Sequence, residues 1–203
     1  MVYQAKNYDT LYGTPGFSDE LLGNHFTLYQ GYVKNTNALL DEAKQLRDGG
    51  KEKTPEFAET RRRFGWEFNG MRLHEYYFEN LRRDAGSDPA SLPLVQKLAA
   101  DFGSFDSWQK DFKATAAMRG IGWAALYYDT HGDRLMNFWI NEHDTGHGSG
   151  LVPILILDVF EHAYMKDYGI KRDGYLESFF KAVHWQEAQK RFQEALVAMP
   201  HGG

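Results

Sequence analysis

The densest run of chemically active side chains is Leu157-Asp158-Val159-Phe160-Glu161-His162-Ala163-Tyr164, where an apolar stretch ends in one carboxylate and then sets a second beside a histidine. Polar groups leaving a buried strand need partners. Asp158 and His162 are four apart, a spacing that turns both onto one face of a helical turn and suits the capture of a single metal ion. Taken alone, the pair reads more readily as a helix cap followed by a hydrogen-bonded interior histidine. His74 sits in the aromatic run Gly70-Met71-Arg72-Leu73-His74-Glu75-Tyr76-Tyr77-Phe78, and alone it too reads more simply as a core residue than as a ligand. His25 is followed by Tyr29 and Tyr32, and at about 100° per residue the three share a helix face.

The elements that must position these groups can be read from capping and period. Ser18-Asp19-Glu20 opens a helix that runs through Tyr32 and Leu39 to Leu46, where Asp48-Gly49-Gly50 ends it. A second helix runs from Pro55 to about Arg83, and the two form an αα-hairpin that could bring His25 and His74 to one point. Ala85-Gly86-Ser87-Asp88-Pro89 is the clearest break, which divides the chain into an N-terminal α-hairpin domain, 1–87, and a C-terminal α/β domain, 88–203. Helices are expected over Ser91–Phe102 and Ser104–Met118, and one closing helix over Tyr175–Met199. Between them Trp123–Asp129, Arg134–Asn141 and Val152–Leu157 read as strands of a small three-stranded antiparallel sheet. The fold class is therefore α+β, a long N-terminal α-hairpin followed by an α/β domain.

Composition narrows the chemistry. The 203 residues carry a net charge of −5 and no cysteine, which removes thiolate metal sites, disulfides and cysteine nucleophiles together. Any metal must be held by the eight histidines and by carboxylates. The acidic balance argues against nucleic acid, no apolar stretch reaches the roughly 20 residues of a membrane span, and the polar start lacks a signal-peptide pattern. A cytoplasmic protein is expected.

Taken together, these segments resemble the iron/manganese superoxide dismutases over nearly the whole chain. Asp158-Val159-Phe160-Glu161-His162-Ala163-Tyr164 is similar to that family's D-x-W-E-H-A-Y signature. Tyr32-Val33 after a helical histidine, Gly70-x3-His74 followed by aromatics, Gly122-Trp123, and Tyr175-Leu176 leading to Val183-His184-Trp185 match it elsewhere. The resemblance implies one iron or manganese ion per subunit on His25, His74, Asp158 and His162, cycling between +3 and +2 while superoxide becomes dioxygen and hydrogen peroxide. It implies Tyr32 as a gateway phenol, His143 as partner of the metal-bound solvent in the place of a glutamine, and Trp123 and Phe160 as pocket walls. It also implies that Glu161 reaches a partner's His162 across a homodimer interface near Tyr164, with a tetramer as the alternative assembly.

The chain departs from that pattern near its centre. The family places eight positions between ligand histidine and gateway tyrosine, and an ungapped register would put Asn24 in the ligand slot. His25 is preferred, because seven residues of regular helix return within about 20° of the starting face whereas eight miss by about 80°. A helical bulge implied by the longer spacing would then be lost here. Tyr29 replaces a histidine that the resemblance would bring to Tyr164 across the dimer, and Phe160 replaces the signature tryptophan. These changes motivate a second reading, a metal-binding or structural protein of the same fold with little activity. A di-metal carboxylate oxidase fits poorly, since it needs paired Glu-x-x-His motifs. For an anionic substrate, Arg172 and Arg72 are the candidates for local attraction.

Overall fold

The computed structural model describes residues 2–84 and 89–197, so the division expected at 87/88 and the end of the last predicted helix at Met199 lie outside the described residues. Helix α1, Asp19–Asp48, starts where Ser18 Oγ accepts the Leu21 N–H at 3.0 Å, a cap worth about 1 kcal/mol, and carries Asp19 and Glu20 at its positive end. Helix α2, Pro55–Glu79, starts on Thr54, whose hydroxyl accepts from the Phe57 N–H, with Pro55 in the first turn where no N–H is needed. The two pack along their length as the expected hairpin. Helix α1 is α-helical throughout, so its faces repeat without interruption from His25 to Tyr32.

Helices α3, Pro93–Phe102, and α4, Phe105–Ala116, are joined by Gly103 in the left-handed region, at φ 86°, which glycine adopts without Cβ strain. Strands β1, Gly122–Asp129, β2, Arg134–Asn141, and β3, Val152–Asp158, form one antiparallel sheet in the order β2-β1-β3. The central strand β1 is buried along almost its entire length. Its register sets Trp123 opposite Asp158, and a bulge interrupts the β1–β3 pairing at Leu126/Tyr127. Helix α4 packs on β1 and β2, while α2 and the final helix pack on β3. Among the described residues no helix is long and apolar enough to cross a membrane.

After β3 come a 3-10 turn at Glu161–Ala163, α5, Met165–Tyr168, α6, Arg172–Ala182, and α7, Trp185–Val197. The single closing helix expected from Tyr175 onward is thus two helices. Its helical period is real on either side of the break, but Val183 is extended (φ −61°, ψ 127°) and bridges Leu81, with the His184 N–H donating to Asn80 O at 2.7 Å. A tertiary backbone contact to the end of α2 overrides local propensity at that point.

Candidate metal centre

Four side chains from three places in the chain converge beneath the end of β3. The donor atoms of His25, His74, Asp158 and His162 all lie within 4.8 Å of one another. His25 Nε2 and His162 Nε2 each stand 3.1 Å from Asp158 Oδ2, and His74 Nε2 stands 3.7 Å from it. The other carboxylate oxygen, Oδ1, accepts the Phe160 N–H at 2.8 Å, which turns Oδ2 toward the imidazoles. Tyr175 holds the same residue from behind, donating its O–H to Asp158 O at 2.7 Å.

His74 tests whether these residues fit a metal. Its Nδ1 lies 2.6 Å from the Gly70 carbonyl, which can only accept, so Nδ1 carries the hydrogen and Nε2 presents a lone pair. That Nε2 is fully buried and has no hydrogen-bond partner among the described residues. A buried nitrogen without a partner costs about 1–3 kcal/mol, and a cation at the centre of the four donors would satisfy it. Three imidazoles and one carboxylate suit iron or manganese in the +2 and +3 states.

Electrostatics agree with ligation. Burial lowers the pKa of His25 and His74, keeping both neutral, the form that binds metals. For Asp158 burial works the other way and raises the carboxyl, but His162 and His25 outweigh it and hold the group ionised, well below the usual carboxylate range.

Beside this cluster lies a chain of directed contacts. Trp123 Nε1 donates to His143 Nδ1 at 3.1 Å, and His143 Nε2 lies 2.7 Å from Tyr32 Oη. Burial depresses the His143 pKa to about 4, so the ring is neutral at pH 7. With Nδ1 accepting from tryptophan, the hydrogen is on Nε2, which donates to the Tyr32 oxygen and leaves the phenol O–H free to point elsewhere. Burial and the Asp158 charge raise the Tyr32 pKa far above its ordinary value, which keeps that proton in place. The Tyr32 ring stacks on His74 with centroids 5.0 Å apart, and a Cβ on Gly70 would come within 2.6 Å of it. Glycine at 70 is therefore what lets the phenol reach the site.

His25, His74, Asp158, His162, Tyr32, His143, Trp123 and Phe160 lie together in the structure. Trp123 packs edge-on to His74 at 5.0 Å, and Phe160 is stacked between His143 and His162 at 4.7 and 5.1 Å. Glu161 is exposed beside His162, whose side chain keeps 24% of its surface open, and Tyr164 stacks on Tyr175. Tyr29 stands where the resemblance would have a histidine. It is fully buried between α1 and α2, donates to Glu75 Oε1 at 3.0 Å and accepts the Lys6 N–H, so its hydroxyl is engaged inside the hairpin. Arg72 departs from expectation, because its guanidinium pairs with Glu75 at 2.5 Å, which offsets the charge expected to attract an anion.

Three contributors went unread in the sequence. Glu75, buried one residue after His74, joins α2 to Tyr29, and no short-range pattern signals that pairing. Trp66 covers His143 at 4.5 Å and donates to Glu142 Oε2 at 3.0 Å. His147, four residues after His143, donates from Nε2 to the His143 carbonyl at 2.8 Å, and the four-residue spacing was its only signal.

The comparisons agree with this geometry. The profile of the iron/manganese superoxide dismutases, C-terminal domain, matches residues 90–191. Superoxide dismutase [Mn] 1 of Halobacterium salinarum is 37% identical over 193 residues, covering 93% of this chain and 92% of the relative. Superoxide dismutase [Mn] 2 of Haloferax volcanii is 35% identical over 190 residues, with 93% and 92% covered. Superoxide dismutase [Fe] of Aquifex pyrophilus is 33% identical over 188 residues, with 90% and 87% covered. Fold, donor set and likeness over nearly the full length converge, and the chain belongs to the iron/manganese superoxide dismutase family.

Proposed function

We propose that this protein dismutes superoxide in the cytoplasm as a homodimer, two superoxide ions and two protons becoming dioxygen and hydrogen peroxide. The observation that carries the reading is the buried, partnerless Nε2 of His74 aimed into a cluster of two further imidazoles and a carboxylate. One iron or manganese ion per chain, held by His25, His74, Asp158 and His162, supplies a one-electron acceptor in its +3 state and a one-electron donor in its +2 state.

The protein's own residues handle protons, access and charge. Tyr32 keeps its phenol protonated, and the His143 N–H fixes the phenol oxygen so that its hydrogen is directed into the pocket, where the peroxide product needs protons. Trp123 holds His143 in that tautomer. Trp123 and Phe160 close the walls against larger molecules. Arg172 is the cation suited to attracting an anion, since its guanidinium donates to neutral acceptors, the carbonyls of Ala116, Met118 and Gly120 and the Tyr164 hydroxyl, and forms no ion pair among the described residues.

Support for the dimer is local. Glu161 is exposed next to the open edge of His162, and the exposed apolar side chains Met165 and Ile170 line a hollow with it. A two-fold contact there would cover the apolar groups and give the His162 ring a carboxylate partner, as ligand histidines usually have.

The test is elemental analysis of the purified protein beside its rate of superoxide removal. Activity proportional to bound iron or manganese, near one ion per chain, is expected. Bound metal without activity would favour the structural reading, and no metal after supplementation would defeat the dismutase reading.

A further inference from the structure

The loop between β2 and β3 carries a histidine whose contacts run toward the site from outside it. His147 Nε2 lies 2.8 Å from the carbonyl of His143, and Tyr127 Oη lies 3.0 Å from His147 Nδ1. A carbonyl only accepts, so Nε2 must carry the hydrogen; Nδ1 of the neutral ring is then a lone pair and accepts from the tyrosine. Tyr127 is buried, and burial pushes its phenol up to about 12, so its proton is available for that bond. The sense of donation is thus fixed from Tyr127 to His147, from His147 to the His143 backbone, and from the His143 ring to Tyr32.

The surrounding backbone is built for this contact. The β1–β3 bulge falls at Tyr127, opposite Pro153, which has no N–H to lose. Glycines flank the histidine. Gly146 has φ 102°, and a Cβ there would lie 2.4 Å from Trp139 O, while a Cβ on Gly148 would lie 2.2 Å from Leu151. Glu142, just before His143, takes φ 50° without being glycine, a conformation that persists only where its surroundings fix it. A cleft of about 330 Å³ opens on the outer side of His147, between the loop and Phe68, Leu73 and Tyr76 of α2.

We infer that His147, locked by Tyr127, is a positioning residue that fixes where the His143 ring stands and so which way the Tyr32 phenol points. The inference rests on the proposed role of the His143–Tyr32 pair in proton delivery. It assigns a use to a histidine outside the ligand set, one that touches neither the metal donors nor the substrate pocket.

The test uses the full chain in two forms. In protein loaded with gallium(III), a diamagnetic trivalent ion, nitrogen NMR of the imidazoles should report the Nε2–H tautomer for both His143 and His147. His147→Ala should then shift or broaden the His143 nitrogen signals with gallium content unchanged. In the iron- or manganese-loaded enzyme the same variant should lose about 10-fold in turnover and move the alkaline limb of its pH profile, a size typical of outer partners at metal sites. His147→Gln, whose amide N–H can still donate to the carbonyl, should stay within about 3-fold, and imidazole, small enough for the cleft, should partly restore His147→Ala. Unmoved His143 signals and an unmoved alkaline limb in His147→Ala would overturn the inference. So would an Nδ1–H tautomer at His147. A wild-type chain that shows these tautomers yet removes no superoxide would instead defeat the dismutase reading and leave the brace standing.

Discussion

The two sides of the site are built in different ways. On the hairpin side, His25, His74 and Tyr32 come from long regular helices, are packed by Phe78, Tyr77 and Tyr29, and find their partners within the chain. On the other side, His162 and Glu161 come from a single 3-10 turn after β3, His162 is a quarter open, and Glu161 is exposed. Asp158 joins the two, accepting contact from His25 on one side and His162 on the other. The contrast teaches that the hairpin side is complete in one chain, whereas the turn side has the polar and apolar surface that a second copy would cover.

The largest effect should come from breaking the joint between the sides. Asp158→Asn keeps the shape but removes the charge, and metal affinity should fall by more than about 100-fold, since outer partners alone are worth about 10–100-fold; metal titration reads this directly. On the hairpin side, Tyr32→Phe should leave metal content unchanged and reduce turnover by roughly 10- to 100-fold, at or below the low end of what a positioned acid contributes. A smaller loss in metal content than in turnover is the signature to look for. On the turn side, Glu161→Ala should weaken metal binding by roughly 10-fold and shift the mass in dilute solution from the proposed dimer to single chain. Unchanged mass and metal content would remove the distinction between the sides.

Acidification sharpens the same contrast for the metal-free chain. His143 has its pKa lowered to about 4 in the folded state, against 6.5 in the unfolded chain, and His25 and His74 are lowered as well. Between those pH values the unfolded chain binds protons that the folded chain refuses, so stability falls as pH drops from about 6.5 toward 4, where the His143 contribution levels off. His143 alone would contribute about 3 kcal/mol of that loss. Denaturant midpoints measured across this range check it, and a midpoint flat from pH 7 to 4 would contradict the buried neutral imidazoles. The smallest effect is Tyr29→Phe, which removes the hydrogen bond to Glu75 and the one accepted from the Lys6 N–H and should cost about 2 kcal/mol in thermal or denaturant unfolding, with little change in solution mass.

Much of this arrangement was legible in the sequence because it rests on local patterns. Ser18 and Thr54 mark their helix starts, and the 123–129 and 134–141 segments read as strands from composition. The choice of His25 over Asn24 followed from helical geometry alone, and the uninterrupted α1 places His25 on Asp158 as seven residues of regular helix require. What could not be read depends on contacts between distant segments. The break at Val183 is set by Leu81 and Asn80, more than a hundred positions earlier in the chain. Tyr29 is held inside the hairpin by Glu75 and Lys6, and Arg72 is neutralised by the same glutamate. The direction of the Trp123–His143–Tyr32 chain depends on which nitrogen faces an obligate donor, and sequence carries no record of that.

The most direct test of the account is anomalous diffraction from crystals of the iron- or manganese-loaded protein. One metal peak per chain is expected, at bonding distance from His25 Nε2, His74 Nε2, Asp158 Oδ2 and His162 Nε2, with Asn24 turned away. A peak that leaves His25 unbound, or a metal bound elsewhere in the chain, would contradict it.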